Sequence, residues 1–444
     1  MTFHDLNLNK PLLKALDELG LVQPTPIQIE AFSTIMSGRD VIGVAQTGTG
    51  KTYAYLLPLL RLHKYSVEKH PRVLIIVPTR ELVLQVVAEI EKLAAYISVR
   101  AVGVYGGTNM NTQRRTVEDG VDILVATPGR LYDLAMSRSL RLKFVKKLVI
   151  DEVDTMLDLG FRPQLNNILD LLTEKRQNLL FSATMTEEVE KIIETYFNDP
   201  EKIEVDLTGT PVEKIDQSGY KVPNFNTKTS LLKHLLEEDK TMVKVLVFVS
   251  TKRFADLLFQ QLEPTYKEQL GIIHSNKAQN FRINTVQNFH AGDIRVLIAT
   301  EIIARGLDVS EVSHVINFDA PDIPENYIHR IGRTGRADRR GNAITFFKED
   351  ENEIKADIEA LMKREVPLLP LPEEIVISEE LIPEEIPASA GDINYLPTIN
   401  LSSEGAFHEK SDKNKKVNRA HIKRQARLTE KKNSKRKPKQ KGKK

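Results

Sequence analysis

A short apolar run, VIGVA (41–45), breaks into the small-residue turn QTGTG and ends in Lys51-Thr52. Small residues there let backbone N–H groups close on polyphosphate oxygens, the lysine adds a point charge, and the threonine hydroxyl can ligate Mg²⁺. Ala45, Gln46, Thr47, Gly48, Thr49, Gly50, Lys51 and Thr52 are therefore candidate nucleotide contacts, with Lys51 catalytic and Thr52 a metal ligand. Ala45 stands where the strict pattern G-x-x-x-x-G-K-[ST] has glycine, and it keeps the property the turn needs, a small side chain. Far downstream, Asp151-Glu152 follows the apolar run KLVI. A carboxylate there can hold Mg²⁺, largely through water, while its neighbour orients or deprotonates the water that attacks a γ-phosphate; Asp151 is assigned to the metal and Glu152 to the water. In HRIGRTGR (329–336), three arginines spaced by three lie among glycines, so guanidinium groups can reach a triphosphate and stabilise its transition-state charge. No second P-loop accompanies them. One ATP would then lie between two halves of the chain, and hydrolysis would depend on their closure.

The elements that must position these groups form two series of apolar runs. VIGVA (41–45), VLIIV (73–77), VGVY (102–105), DILVA (122–126), KLVID (147–151) and NLLFS (178–182) are separated by helical patterns. KVLVFVS (244–250), LGIIH (270–274), RVLIAT (295–300), HVINF (314–318) and NAITFF (342–347) follow in the same manner. Strands without alternation, spaced by crossover-length helices, predict parallel sheets covered on both faces: an α/β fold with two tandem domains. Thr79-Arg80, Thr127, Arg130, Asp151-Glu152, Ser182-Ala183-Thr184, Ser250-Thr251 and Thr300-Glu301 fall at or just after the carboxyl ends of these runs, the edge where open α/β sheets bind ligands. Each alone reads as a cap or turn. Together they predict one functional edge in each domain.

The 444 residues are 41% hydrophobic and 28% charged, and no run is long enough to span a bilayer. The opening MTFHDLNLNKPLLKALDELG has a helical rhythm broken by charges, unlike a secretory leader. With no cysteine the chain has no disulfide or thiolate metal site, which suits a reducing compartment, and a cytoplasmic location is expected. Charge is segregated. Of 63 basic and 61 acidic residues, 17 basic and two acidic (Asp412 and Glu430) lie in 410–444, leaving 46 basic against 59 acidic in the body. The expected organisation is a first domain over 1–208, a linker at 209–217, a second domain over 218–362, a Pro/Glu-rich linker at 363–409 and a disordered basic tail at 410–444.

The motifs, in order and spacing, resemble those of DEAD-box ATP-dependent RNA helicases from Phe3 to Arg336. The resemblance implies two RecA-like domains and the following roles. Phe3 and Pro24-Thr25-Pro26-Ile27-Gln28 match the adenine-recognising Q motif, with Phe3 stacking, Thr25 nearby and Gln28 reading the base edge, so ATP is the expected fuel. DEVD (151–154) and SAT (182–184) match motifs II and III, with Ser182, Thr184 and His329 coupling ATP to RNA. Arg333 and Arg336 match the arginine fingers, and Asp308 the residue near the ribose. PTREL, Gly106-Gly107 and TPGR match first-domain RNA motifs, so Thr79, Arg80, Gly107, Thr127 and Arg130 are expected on RNA. Thr251, the Gln279/Arg282 pair and Thr300 match second-domain RNA and coupling motifs.

Backbone N–H groups, hydroxyls and arginines suit a sequence-independent reader of single strands and short duplexes. No aromatic row runs along these motifs, so base stacking should add little. The resemblance implies local, non-processive unwinding or remodelling of ribonucleoprotein, ribosomal or messenger, by a monomeric core. An ATP-gated RNA clamp or annealing chaperone is the alternative, and a DNA-directed ATPase a third. Val153 stands where Ala is usual in motif II, Glu301 where Asp is usual in motif V, and Ser275 where Gly commonly follows His274. The tail lies outside the resemblance and reads as an electrostatic tether for RNA. Six glutamates between Glu373 and Glu385 are placed to pair with it.

Overall fold

The computed structural model describes residues 1–45, 48–204, 214–301, 309, 312–335 and 340–386. Seven parallel strands form the first sheet: β1 (Val41–Val44), β2 (Val73–Ile76), β3 (Ala101–Val104), β4 (Ile123–Ala126), β5 (Lys147–Asp151), β6 (Gln177–Ser182) and β7 (Glu201–Glu204), in the order β3-β4-β2-β5-β6-β1-β7. Seven more form the second: β8 (Ile215–Lys221), β9 (Val245–Val249), β10 (Leu270–Ile273), β11 (Val296–Thr300), β12 (His314–Asn317), β13 (Gly341–Phe347) and β14 (Leu368–Leu369), ordered β10-β11-β9-β12-β13-β8-β14. The central strands bury both faces, which is why their sequences are apolar without alternation.

Each sheet separates two apolar layers. Val41, Ile75, Val125, Val149 and Leu179 face one layer of the first sheet, while Ile42, Leu74, Leu124, Leu148 and Leu180 face the other. Adjacent strand residues thus point to opposite helical layers, and the carboxyl ends of β1, β2, β4, β5 and β6 are held at one edge. The helix Pro26–Ser37 stops at Gly38, whose φ of 89° is the left-handed conformation that a helix C-terminus favours.

The boundaries depart from the sequence expectation in two places. β8 begins at Ile215, so the end of the expected linker at 209–217 belongs to the second sheet. The Pro/Glu-rich run, expected to be a linker, begins as packed structure. β14 pairs with β8, and Leu371, Ile375 and Ile382 join the apolar layer that contains Phe225, Val247 and Phe318. Asn224 donates to the Ser378 carbonyl at 2.7 Å, Ser378 N–H donates to Thr227 Oγ1 at 2.9 Å, and Phe225 N–H donates to Glu385 Oε1 at 2.7 Å. Glu384 pairs with Arg253. The rest of that run and the basic tail lie outside the described residues.

Candidate active site and nucleic-acid interface

The phosphate turn is held from behind by the helix Pro26–Ser37. Gln28 is buried; its Oε1 accepts the Thr25 N–H at 3.0 Å and its Nε2 donates to the Gly50 carbonyl at 3.1 Å. Each amide group keeps a second lone pair or N–H for another partner. Gly50 has φ of 90°, and a Cβ there would meet the Gln28 side chain and lie 3.0 Å from Thr25 Oγ1, so glycine is required. Gly48 also has positive φ (86°). Ala45 is buried and its N–H donates to the Ser182 carbonyl at 3.0 Å. Lys51 opens the helix Lys51–Leu62 and is only 6% exposed, yet its Nζ has no hydrogen-bond partner among the described residues; the same holds for Thr25 Oγ1. A buried ammonium without an acceptor is costly, and a phosphate would satisfy it. Phe3 is 3% exposed and packs in the same apolar layer as Leu12 and Leu16.

Asp151 ends β5 and is buried. Its Oδ2 accepts the Tyr55 hydroxyl at 3.0 Å and its Oδ1 accepts the Glu152 N–H at 3.0 Å. Burial pushes the Asp151 carboxyl above its ordinary range, partly offset by Lys51. The same burial and the Asp151 carboxylate push the Tyr55 phenol well above its ordinary value. Glu152 has φ of 53°, a left-handed conformation that a non-glycine residue adopts at some cost. Burial, then the neighbouring Asp151, push its carboxyl up to about 7, opposed by Lys51 and Arg333.

Asp154, the last residue of DEVD, joins three motifs. Its Oδ2 accepts Ala183 N–H (3.1 Å), Thr184 N–H (3.0 Å) and Thr184 Oγ1–H (3.1 Å), and Oδ1 accepts Thr155 N–H (3.0 Å). Ser182 Oγ donates to the Thr184 carbonyl at 2.7 Å, which closes the turn. Burial raises the Asp154 carboxyl, but His329 and Lys51 outweigh it and hold the group below its ordinary range. Lys51, Glu152, Asp154, Thr155 and Ala183 from the first half and His329 and Arg333 from the second line one narrow pocket. Of the expected catalytic and coupling groups, Lys51, Glu152, His329 and Arg333 therefore meet across the two halves. Gln46, Thr47, Asp308 and Arg336 lie outside the described residues.

A second cleft, of about 330 Å³, is lined by Thr79, Arg80, Gly106, Thr127 and Arg130 of the first half and by Ser275 and Arg282 of the second. Thr79 caps the helix Arg80–Leu93 by accepting the Leu82 N–H at 3.3 Å, and Thr127 precedes the helix Pro128–Met136. Arg130 donates to Gln113 Oε1 at 2.7 Å and to the Thr108 carbonyl at 3.0 Å, which ties it to the Gly106-Gly107 loop. Gly107 has φ of 80°, and a Cβ there would strike the Arg80 guanidinium. Arg282, expected on RNA, forms a buried ion pair with Glu81 across the two halves. Sequence reasoning had no signal for that pairing beyond Glu81 lying within PTREL. Thr251 caps the helix Lys252–Tyr266 and Thr300 ends β11; neither lines this cleft, and the side chain of Gln279 lies outside the described residues.

The comparisons with known proteins follow the same division. The DEAD/DEAH box helicase model matches residues 25–192, and the helicase conserved C-terminal domain model matches 227–338. The DEAD-box ATP-dependent RNA helicase CshA of Bacillus thuringiensis is 38% identical over 409 residues, 91% of this chain and 76% of that protein. The chain belongs to the DEAD-box ATP-dependent RNA helicase family. DEAD-box ATP-dependent RNA helicase 30 of Arabidopsis thaliana is 39% identical over 377 residues, 83% of this chain, and the match spans 63% of that longer protein. The structure of S. cerevisiae Dbp5 bound to RNA and ADP BeF3 superimposes with a TM-score of 0.75 at 28% identity, covering 83% of this chain and 96% of that one. The two sheets are thus the tandem RecA-like domains of a DEAD-box protein.

Of the three positions expected from the sequence to depart from the family pattern, two have a structural setting and the third a location. Val153 is fully buried in the apolar layer that also contains Ile42, Ala126 and Met156, where a branched aliphatic side chain is accommodated. Glu301 reaches Arg330, its Oε2 accepting from Nη2 at 2.8 Å; the arm longer than aspartate's ties the end of β11 to the arginine helix Pro324–Ile331. Ser275 lies in the wall of the second cleft. No helix among the described residues is long and apolar enough to cross a membrane.

Proposed function

We propose that this DEAD-box protein hydrolyses ATP in an RNA-dependent manner and uses closure of its two halves to separate short RNA duplexes locally or to remodel RNA–protein complexes. The observation that supports this most directly is the shared pocket: Lys51, Glu152 and Asp154 come from the first half, His329 and Arg333 from the second. ATP is the substrate. Lys51 supplies charge to its β- and γ-phosphates, and Gln28, which already braces the turn, offers its remaining lone pair and N–H to the base. Glu152 accepts the proton of the attacking water. Arg333, with Arg336, stabilises charge as the phosphoryl group leaves.

Mg²⁺ fits the oxygen donors present. Thr52 and Asp151 would hold it together with phosphate oxygens and water, a donor set that magnesium accepts. Its contribution is to neutralise charge on the phosphates. RNA occupies the second cleft through Thr79, Arg80, Thr127, Arg130 and Arg282, with Gly107, Thr251 and Thr300 extending the path. Most of these contacts are hydroxyl, backbone or guanidinium groups suited to phosphates, so binding is sequence-independent. The basic tail adds salt-sensitive affinity.

The test is steady-state ATP hydrolysis without nucleic acid, with single-stranded RNA and with the same sequence as DNA, beside Glu152→Gln. Stimulation by RNA alone, abolished by Glu152→Gln, is expected. No stimulation, or equal stimulation by DNA, would overturn the reading. A duplex-release assay separates unwinding from clamping, since a clamp retains RNA with a non-hydrolysable ATP analogue and releases no strand.

A further inference from the structure

Lys228 is the most deeply buried lysine among the described residues, 1% exposed, and nothing in the nucleotide pocket or the RNA cleft uses it. It lies on the helix Phe225–Glu238 and donates to Asp319 Oδ1 at 3.0 Å. Asp319 follows β12 and is a node. Its Oδ2 accepts both the N–H and the Oγ–H of Ser250 at 2.9 Å, and its backbone carbonyl accepts Arg330 Nη1 at 2.7 Å. Ser250 immediately precedes Thr251, the cap of the helix Lys252–Tyr266. Arg330 lies three residues before Arg333, sits over the Phe248 ring at 5.2 Å and pairs with Glu301. One buried aspartate thus grips the turn that leads to an RNA contact with its side chain, and the helix that leads to an arginine finger with its main chain.

A buried ion pair is weak evidence for stability, because desolvating both charges offsets most of their attraction and an apolar pair of equal volume often does as well. It does fix geometry. A carboxylate held by an ammonium and two Ser250 donors has one orientation, and displacing it strains every partner at once. We propose that Lys228 and Asp319 are positioning residues that couple the RNA-side turn Ser250-Thr251 to the arginine helix Pro324–Ile331, so that RNA occupancy and placement of Arg333 depend on each other. This rests on the RNA-dependent ATPase reading above. Lys228 acts on the reaction through Asp319 and touches no substrate. The packed segment 378–385 holds the start of the same helix through Asn224, Phe225 and Thr227, which keeps Lys228 in register.

The test uses the full chain as wild type, Lys228→Met, Lys228→Gln, Ser250→Ala and the double variant Lys228→Met/Ser250→Ala. ATP hydrolysis is followed against RNA concentration, and each thermal midpoint is recorded. Lys228→Met is expected to cut the fold-stimulation by RNA about tenfold while unstimulated hydrolysis stays within about twofold. Lys228→Gln, which keeps a neutral donor for Asp319, recovers most of the stimulation. Ser250→Ala loses about threefold, and the double variant is no worse than Lys228→Met because both act through one carboxylate. Equal losses of stimulated and unstimulated rates, or effects that multiply in the double variant, would show a merely structural role and overturn the proposal. If Lys228→Met does not fold, unchanged stimulation in both Lys228→Gln and Ser250→Ala overturns it. A wild type that RNA does not stimulate overturns the underlying reading instead, a result distinguishable from a stimulated wild type with unaffected variants.

Discussion

Replacing Asp154 by asparagine changes one atom and breaks a four-donor site. The carboxylate accepts Thr155 N–H on Oδ1 and three donors from Ala183 and Thr184 on Oδ2, all between 3.0 and 3.1 Å, at a side chain 5% exposed. An amide has one acceptor oxygen. In its better orientation it keeps the three donors of 183–184 and turns its NH₂ toward Thr155, leaving a buried N–H unsatisfied. Such a loss costs about 1–3 kcal/mol, and the charge facing His329 and Lys51 goes with it. Taking about 2 kcal/mol on the assembled pocket, RNA-stimulated kcat/KM for ATP should fall about thirtyfold. Thr184→Ala, which removes only the hydroxyl, should cost about 1 kcal/mol, or about fivefold. The assay is steady-state hydrolysis at saturating RNA, with duplex release and thermal unfolding measured on the same preparations. A folded Asp154→Asn chain within threefold of wild type, or no worse than Thr184→Ala, would refute the view that Asp154 links the metal-side strand to the SAT turn and the arginine helix.

Three further outcomes can be checked. Gly107→Ala must place an L-residue at φ of 80° and push a methyl into the Arg80 guanidinium; a backbone cost of about 1–2 kcal/mol should weaken RNA binding about tenfold while leaving ATP affinity unchanged in a fluorescent-nucleotide titration. Gln28→Ala leaves the Gly50 carbonyl and the Thr25 N–H without their side-chain partner, and ATP affinity should fall about tenfold or more, with RNA affinity in the absence of nucleotide unaffected. Asp122, paired with Arg100 at 2.7 Å, has a carboxyl that burial raises but the guanidinium lowers further, to below its ordinary value of 3.8. Its contribution to stability is therefore full above about pH 4 and is lost as pH falls through the lower, folded-state value. The thermal midpoint of wild type should exceed that of Asp122→Asn at pH 6 and converge on it at strongly acid pH, and a constant gap across that range would contradict the sign.

Much of this protein was legible in its residues, and what was legible shares a cause. The eleven apolar runs read as strands all lie in the two parallel sheets, and the central ones are apolar throughout because both their faces are buried. The Pro26 start and Gly38 stop of the helix bearing Gln28, and the left-handed Gly50 before Lys51, follow from backbone chemistry that acts over a few residues. The strands missed lacked that signal. β7 is EKIE and β8 is IDQSGYK, polar sequences toward one side of their sheets, and β14 is only two residues long. The Pro/Glu-rich segment looked like a linker because Leu371, Ile375 and Ile382 show no regular period; Ile382 is buried and Leu371 and Ile375 partly so only because the second domain already offers an apolar face to receive them.

The same division holds at the functional sites. Residue types by themselves determined that a phosphate turn, a carboxylate pair and a glycine-interleaved arginine segment are present, since each is a local pattern with a chemical purpose. Which groups meet was decided by tertiary structure alone. Glu81 pairs with Arg282 across 201 positions, Tyr55 with Asp151 across 96, and Lys228 with Asp319 across 91. Pairings at that range are set by strand order and by which strand ends the packing brings to one edge. A sequence specifies them only through the whole fold, so no window of residues displays them.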